Sequence, residues 1–152
     1  MIILGLDPGI ARTGYGVVDT SATATFIRCG CITTLPIYSL EERLLTIAND
    51  VNQIIDDTHP DIAVVEEIFF GNNKKTAMVT AHVRGILLHI LASRHISIQS
   101  LTPLQIKSRL TGYGAASKEQ MQQAVTLQLH LTQVPQPDDA ADALAAALCA
   151  TV

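Results

Sequence analysis

The chain has 152 residues, 48% of them hydrophobic but only 4% aromatic, with a formal net charge of -4. That length suits one domain, residues 1–152, around one aliphatic core. No run of 18 or more apolar residues reads as a membrane span, and the opening "MIILGLDPG" lacks the basic region and cleavage site of a signal peptide. Three scattered cysteines (Cys29, Cys31 and Cys149), with no CxxC pair, fit a reducing, cytoplasmic compartment.

In chain order, residues 2–7 ("IILGLD") form an apolar run closed by Asp-Pro-Gly, the pattern of a buried strand and a turn. Residues 14–19 and 24–33, separated by turn residues, read as a hairpin paired with it. Ser39 and Glu42 fit a capping box, after which apolar residues recur at the helical period through residue 55. Pro60 biases His59 away from helix and ends that element. "DIAVVE" (61–66) reads as a second buried strand, parallel to the first across the helix. Residues 74–94 form a helix apolar on more than one side, suited to the core, to a subunit interface or to both. "ISIQSL" (96–101) is a further strand, followed by helices at about 103–110, 117–131 and 138–150, with the turn "TGYG" after the first of them. The sum is an α/β fold, a mixed five-stranded sheet flanked by helices.

Charge is segregated along this order. Residues 1–70 carry three basic groups against ten acidic ones, a balance of -7, and residues 71–137 carry seven against one, a balance of +6. An acidic protein with this distribution can still present a basic surface to a nucleic acid, although scattered solvated faces would give the same count.

Asp7 and Glu66 each end a strand, and ligand sites of open α/β sheets favour that edge. In "DDAADALAAAL" the pairs Asp139/Asp142 and Asp138/Asp142 both share a helical face, so spacing leaves 138 and 139 open. One of the two is expected to cap the helix, with Asp138 favoured; Glu67 reads as a solvated loop residue. Gathered carboxylates repel one another and require protons or metal ions. Oxygen ligands select Mg²⁺ or Mn²⁺ over zinc. Two such ions about 4 Å apart can activate a water and stabilise the leaving oxygen of a phosphodiester. The five histidines include no pair at zinc-ligand spacing with a cysteine or carboxylate partner.

The segments "ILGLDPGIARTGYGVV", "VVEEIFFGNN" and "PDDAADALA" resemble, in order and spacing, the three signatures of the RuvC family of Holliday junction resolvases. The resemblance covers essentially the whole chain. It implies an RNase H-like fold and a homodimer that nicks two strands of a four-way DNA junction symmetrically. The nicks would leave 5′-phosphate and 3′-hydroxyl ends. It also implies a partnership with the RuvA–RuvB branch-migration complex. By motif position the metal ligands are Asp7, Glu66, Asp139 and Asp142, holding two Mg²⁺ per site with Mn²⁺ as a substitute. Lys107 and Lys118 match lysines the family places near the scissile phosphate. Phe69 matches the residue the family inserts near the crossover, where base stacking contributes about 1–3 kcal/mol. Asn72, Asn73, Lys74 and Lys75, with Arg84, complete the expected DNA contacts, and Phe70 is expected to pack as core. One departure is the lack of the family's basic tail: no basic residue follows Lys118. That is expected to make DNA binding weaker or more salt-sensitive.

Three other readings compete. An RNase H-like nuclease acting on RNA would share the fold, and a junction-binding protein without catalysis would share the surface. An actin-like nucleotide-binding protein would use "DPGIARTGYG" as a phosphate loop, but 152 residues cannot supply two lobes and no second glycine-rich phosphate motif is present.

Overall fold

The computed structural model describes residues 1–68 and 74–151, and within these the side chains of Lys74 and Lys75 are not described. Phe69, Phe70, Asn72 and Asn73 fall outside the described residues, as do the contacts expected of Lys74 and Lys75.

Strand β1 (Ile2–Asp7) is buried on both sides. Ile3 packs into one apolar cluster while Leu4 and Leu6 pack into another, as alternation along a strand requires. Strands β2 (Arg12–Asp19) and β3 (Thr25–Thr33) follow as antiparallel neighbours, with a bulge between Val17 and Val18. Helix α1 (Leu40–Thr58) then crosses to β4 (Ile62–Glu66), which lies parallel to β1. Helix α2 (Lys74–Ser93) leads to β5 (Ser97–Leu101), parallel to β4, and the strand order is β3-β2-β1-β4-β5. Helices α3 (Pro103–Thr111), α4 (Lys118–Gln128) and α5 (Asp138–Leu148) complete the chain. The cluster containing Leu4, Leu6, Val17 and Val65 is closed by α1 and α2, and the one containing Ile3, Val18 and Val64 by α3, α4 and α5. The mixed five-stranded sheet with helices on both faces agrees with the sequence-based expectation.

The helix ends follow local chemistry. Ser39 and Glu42 form the expected reciprocal capping box, and His59 ends α1 in the left-handed conformation at φ 46°. Two further capping boxes, Thr102 with Gln105 and Ser117 with Gln120, start α3 and α4. The start of α5 differs from expectation. Pro137 occupies the cap position in an extended conformation, with no side-chain cap bond. Asp138 is thereby the first helical residue, and its carboxylate goes to Lys118 at 3.1 Å and to Gln122 at 3.1 Å. A full cation on the neighbouring helix is a stronger partner than a backbone N–H.

Helix α5 sits close to the sheet because both surfaces are small. Ala140, Ala143, Ala146 and Ala147 are buried on the helix. Beneath them, a Cβ on Gly5 would overlap the Ala143 carbonyl, one on Gly14 the Asp139 carbonyl, and one on Gly16 would stand 2.7 Å from the Leu144 nitrogen. Glycine here is a requirement of close backbone approach.

Helix α2 takes the core role that its composition suggested. Ala77, Val83, Leu87, Ile90 and Leu91 are buried against the sheet and α1. Met78, Ala81, His82, Gly85 and His89 form an exposed stripe on the other side. The apolar window Thr76–Ser93 has a mean hydropathy of 1.3, long and apolar enough to cross a membrane by length and composition only; the stripe that meets the sheet is part of a packed core.

Candidate active site

The parallel pairing of β1 with β4, with Leu6 opposite Val65, puts the next residue of each strand, Asp7 and Glu66, side by side at the carboxyl edge. On the other side of β1, Asp7 is paired with Gly14, and Gly14 supports the backbone of Asp139. The glycine groove thus brings the first turns of α5 to the same edge. Asp7, Glu66 and Asp142 line a cleft of about 240 Å³ with Lys107 and Lys118. Pro103, Ile106, Met121 and Ala145 form its apolar wall.

Burial is the largest influence on these acids. It raises the Asp7 pKa to about 7, aided by the charges of Asp142 and Asp139 and opposed by Lys118. Burial, followed by the charges of Asp7 and Asp142, raises Glu66 to about 8. Asp142 is raised by burial as well, with Lys118 working against the shift. Burial depresses Lys118, but its hydrogen bond to Asp138 and the Asp142 charge outweigh that and the net shift is upward. Such opposed perturbations within one cleft are characteristic of functional groups.

Asp139 is turned differently. Its Oδ2 is buried and accepts no hydrogen bond, yet Arg12 Nε stands 3.2 Å away as an ion pair. The contact is therefore electrostatic, without an N–H aimed at the oxygen. Lys118 bridges Asp138 at 3.1 Å and Asp142 at 3.3 Å. Among the described residues no three His, Cys, Asp or Glu side chains converge into a ready-made metal cage, and Asp139 and Asp142 are each paired with a side-chain cation. The donor set nevertheless fits a hard divalent ion: only carboxylate oxygens, one of them buried and unsatisfied, on rigid elements.

Arg84 is part-buried behind this edge. Its Nε donates to the Glu66 carbonyl at 3.3 Å and its Nη2 to Ser100 Oγ at 2.8 Å, tying α2 to the ends of β4 and β5. Neither this tie nor the pairs Arg12–Asp139 and Lys118–Asp138 was anticipated from the sequence. The nearest signal for Arg12 is its place two residues before Gly14, the partner of Asp7.

A sheet in this order, with carboxylates at the ends of the first and fourth strands and on the last helix, defines an RNase H-like nuclease. The family model for crossover junction endodeoxyribonuclease RuvC matches residues 3–150, and the chain belongs to that family. It is 46% identical to the crossover junction endodeoxyribonuclease RuvC of a Roseiflexus species, over 97% of this chain and 89% of the relative. It is 45% identical to that of Alkaliphilus oremlandii, over 98% and 92%. The Thermus thermophilus RuvC solved in complex with a Holliday junction substrate superimposes with a TM-score of 0.93 at 31% identity, covering 98% of this chain and 92% of that one.

Proposed function

We propose that this chain resolves four-way DNA junctions as one nuclease domain, nicking two strands symmetrically in recombination and repair. The observation that carries the reading is the carboxylate edge itself, where Asp7, Glu66 and Asp142 share a cleft with two lysines and the unsatisfied Asp139 oxygen lies beside it. Similarity to a resolvase solved on its junction supports DNA as the substrate.

Asp7, Glu66, Asp139 and Asp142 would hold the metal ions, two Mg²⁺ with Mn²⁺ as a substitute. Bound there, the ions would activate water and stabilise the departing oxygen of a phosphodiester. The chain's own residues prepare that site. The apolar wall of Ile106, Met121 and Ala145 lowers the local dielectric and strengthens every charge interaction at the edge. Lys118, held between Asp138 and Asp142, and Lys107 present ammonium groups to the phosphate as charge builds on it. Attack of water oxygen on phosphorus breaks the bond to the 3′-oxygen, which takes up a proton, leaving 3′-hydroxyl and 5′-phosphate ends.

Phe69 would stack near the crossover, with Asn73, Lys74 and Lys75 as backbone contacts, whereas Arg84, held by the Glu66 carbonyl and Ser100, would orient the edge. The exposed α2 stripe of Met78, Ala81, His82, Gly85 and His89 suits a self-complementary two-fold interface, so a homodimer would set two cuts symmetrically. The family relationship supports a RuvA–RuvB partnership and a cytoplasmic location as parts of this reading.

The test is cleavage of a labelled synthetic four-way junction in Mg²⁺, beside a linear duplex and an Asp7→Asn control. Paired symmetric nicks in the junction alone, abolished in the control, are expected. Junction binding without cleavage in Mg²⁺ or Mn²⁺ would favour a binding protein, and cleavage of RNA instead would overturn the substrate.

A further inference from the structure

Four carboxylates crowd one edge, and two of them have a side-chain cation as ion-pair partner among the described residues. Asp7 and Glu66 lie deepest, with no side-chain cation in ion-pair contact among the described residues. Asp142 is paired with Lys118, and Asp139 with Arg12. The two cations are placed differently. Lys118 projects into the cleft from α4 and is shared with Asp138, an acid outside the proposed ligand set. Arg12 stands at the start of β2, is 56% exposed, and has only Asp139 as an ion-pair partner among the described residues.

We propose that Arg12 is a built-in counter-ion for Asp139 that a divalent cation must displace before the fourth ligand can join the site. This inference rests on the reading of Asp139 as a metal ligand. Its geometry is that of a placeholder. The guanidinium neutralises a buried oxygen that no hydrogen bond satisfies, which would otherwise carry an uncompensated charge. The pair lacks an aligned N–H, and the arginine is more than half in water, so releasing it costs little. A divalent ion brings twice the charge of the guanidinium and shorter bonds, so it wins the competition, at an affinity reduced by the displaced pair. Arg12 therefore tunes how readily the site loads, and holds Asp139 in place until it does.

The experiment is calorimetric titration of Mn²⁺ into the DNA-free full chain, for wild type, Arg12→Gln and Arg12→Lys, with Asp7→Asn and Asp139→Asn as controls. Arg12 is exposed but its loss leaves the buried Asp139 oxygen without a cation, so the glutamine variant is expected to melt below wild type in chelator while staying folded at the temperature of the titration. The inference expects Arg12→Gln to bind Mn²⁺ about three- to tenfold more tightly, Arg12→Lys to fall near wild type, and the glutamine change to have no effect in an Asp139→Asn background. Unchanged or weaker binding by Arg12→Gln would overturn the placeholder role while leaving the metal site standing. Wild-type binding that is absent, or insensitive to Asp7→Asn, would instead remove the metal reading and this inference with it.

Discussion

Replacing Asp7 by Asn should make the metal-free protein more stable, and increasingly so as pH rises. The carboxyl ordinarily titrates near 3.8, and burial with the neighbouring Asp142 and Asp139 charges lifts it to about 7. Between those values the folded state binds more protons than the unfolded one, so stability declines as pH climbs. The penalty is absent well below the unfolded pKa and complete above the folded one. A shift of about three units at 1.36 kcal/mol each sets a ceiling of about 4 kcal/mol above pH 8, and under about 2 kcal/mol near pH 5. The cleft is open to water, and Asn still buries polar atoms, so about half of each figure is the realistic gain. For a chain of this size 1 kcal/mol moves the melting temperature by about 2–4 °C. Thermal unfolding in EDTA should therefore show Asp7→Asn melting about 4–8 °C above wild type at pH 8.5 and only slightly above it at pH 5. Excess Mg²⁺ should narrow or reverse the gap by stabilising the wild type alone. A variant that is destabilised at pH 8.5, or whose gain is equal at both pH values, would refute the account of a repulsive carboxylate edge.

Gly5→Ala tests the contact that carries α5. Its added Cβ would overlap the Ala143 carbonyl, so a loss of about 3 kcal/mol or more in urea unfolding is expected, with cleavage lost at temperatures where the sheet persists. Wild-type stability would show that the helix can lift without cost. Arg84→Ala removes the tie to the Glu66 carbonyl and Ser100. Single-turnover cleavage of saturating junction should fall about 10- to 100-fold, the range typical of groups that orient a ligand, with little change in junction affinity. If affinity falls instead and the salt dependence flattens by about one phosphate contact, the arginine works on DNA directly.

Periodicity and strand-end chemistry were legible in the sequence. The alternation of Ile3 and Leu4, the Ser39 box and the acids closing β1 and β4 all appear where local rules put them. Two more capping boxes carried the same signal at Thr102 and Ser117. What local rules could not supply was the choice among partners that only tertiary structure offers. Asp138 has a good composition for a cap, yet Lys118, twenty positions earlier on another helix, outbids the backbone for it. Arg12 draws no reading of its own and Arg84 reads only as a DNA contact, because their partners, Asp139 and the Glu66 carbonyl, lie far off in sequence. The segregation of charge along the chain likewise concealed that Lys118 is largely committed to acids of the last helix.

The groove of Gly5, Gly14 and Gly16 under α5 has a consequence for how the protein comes into being. Asp7 and the pair Asp139 and Asp142 are separated by more than 130 residues of sequence. During synthesis the sheet can form around β1 with an open trough where the last helix will lie. Closing it joins segments separated by nearly the whole sequence, a slow long-range step. Until that step, Asp7 and Glu66 stand at the sheet edge without the carboxylates of α5. On the proposed reading, the glycine groove therefore decides whether the carboxylates of α5 reach Asp7 and Glu66 at all.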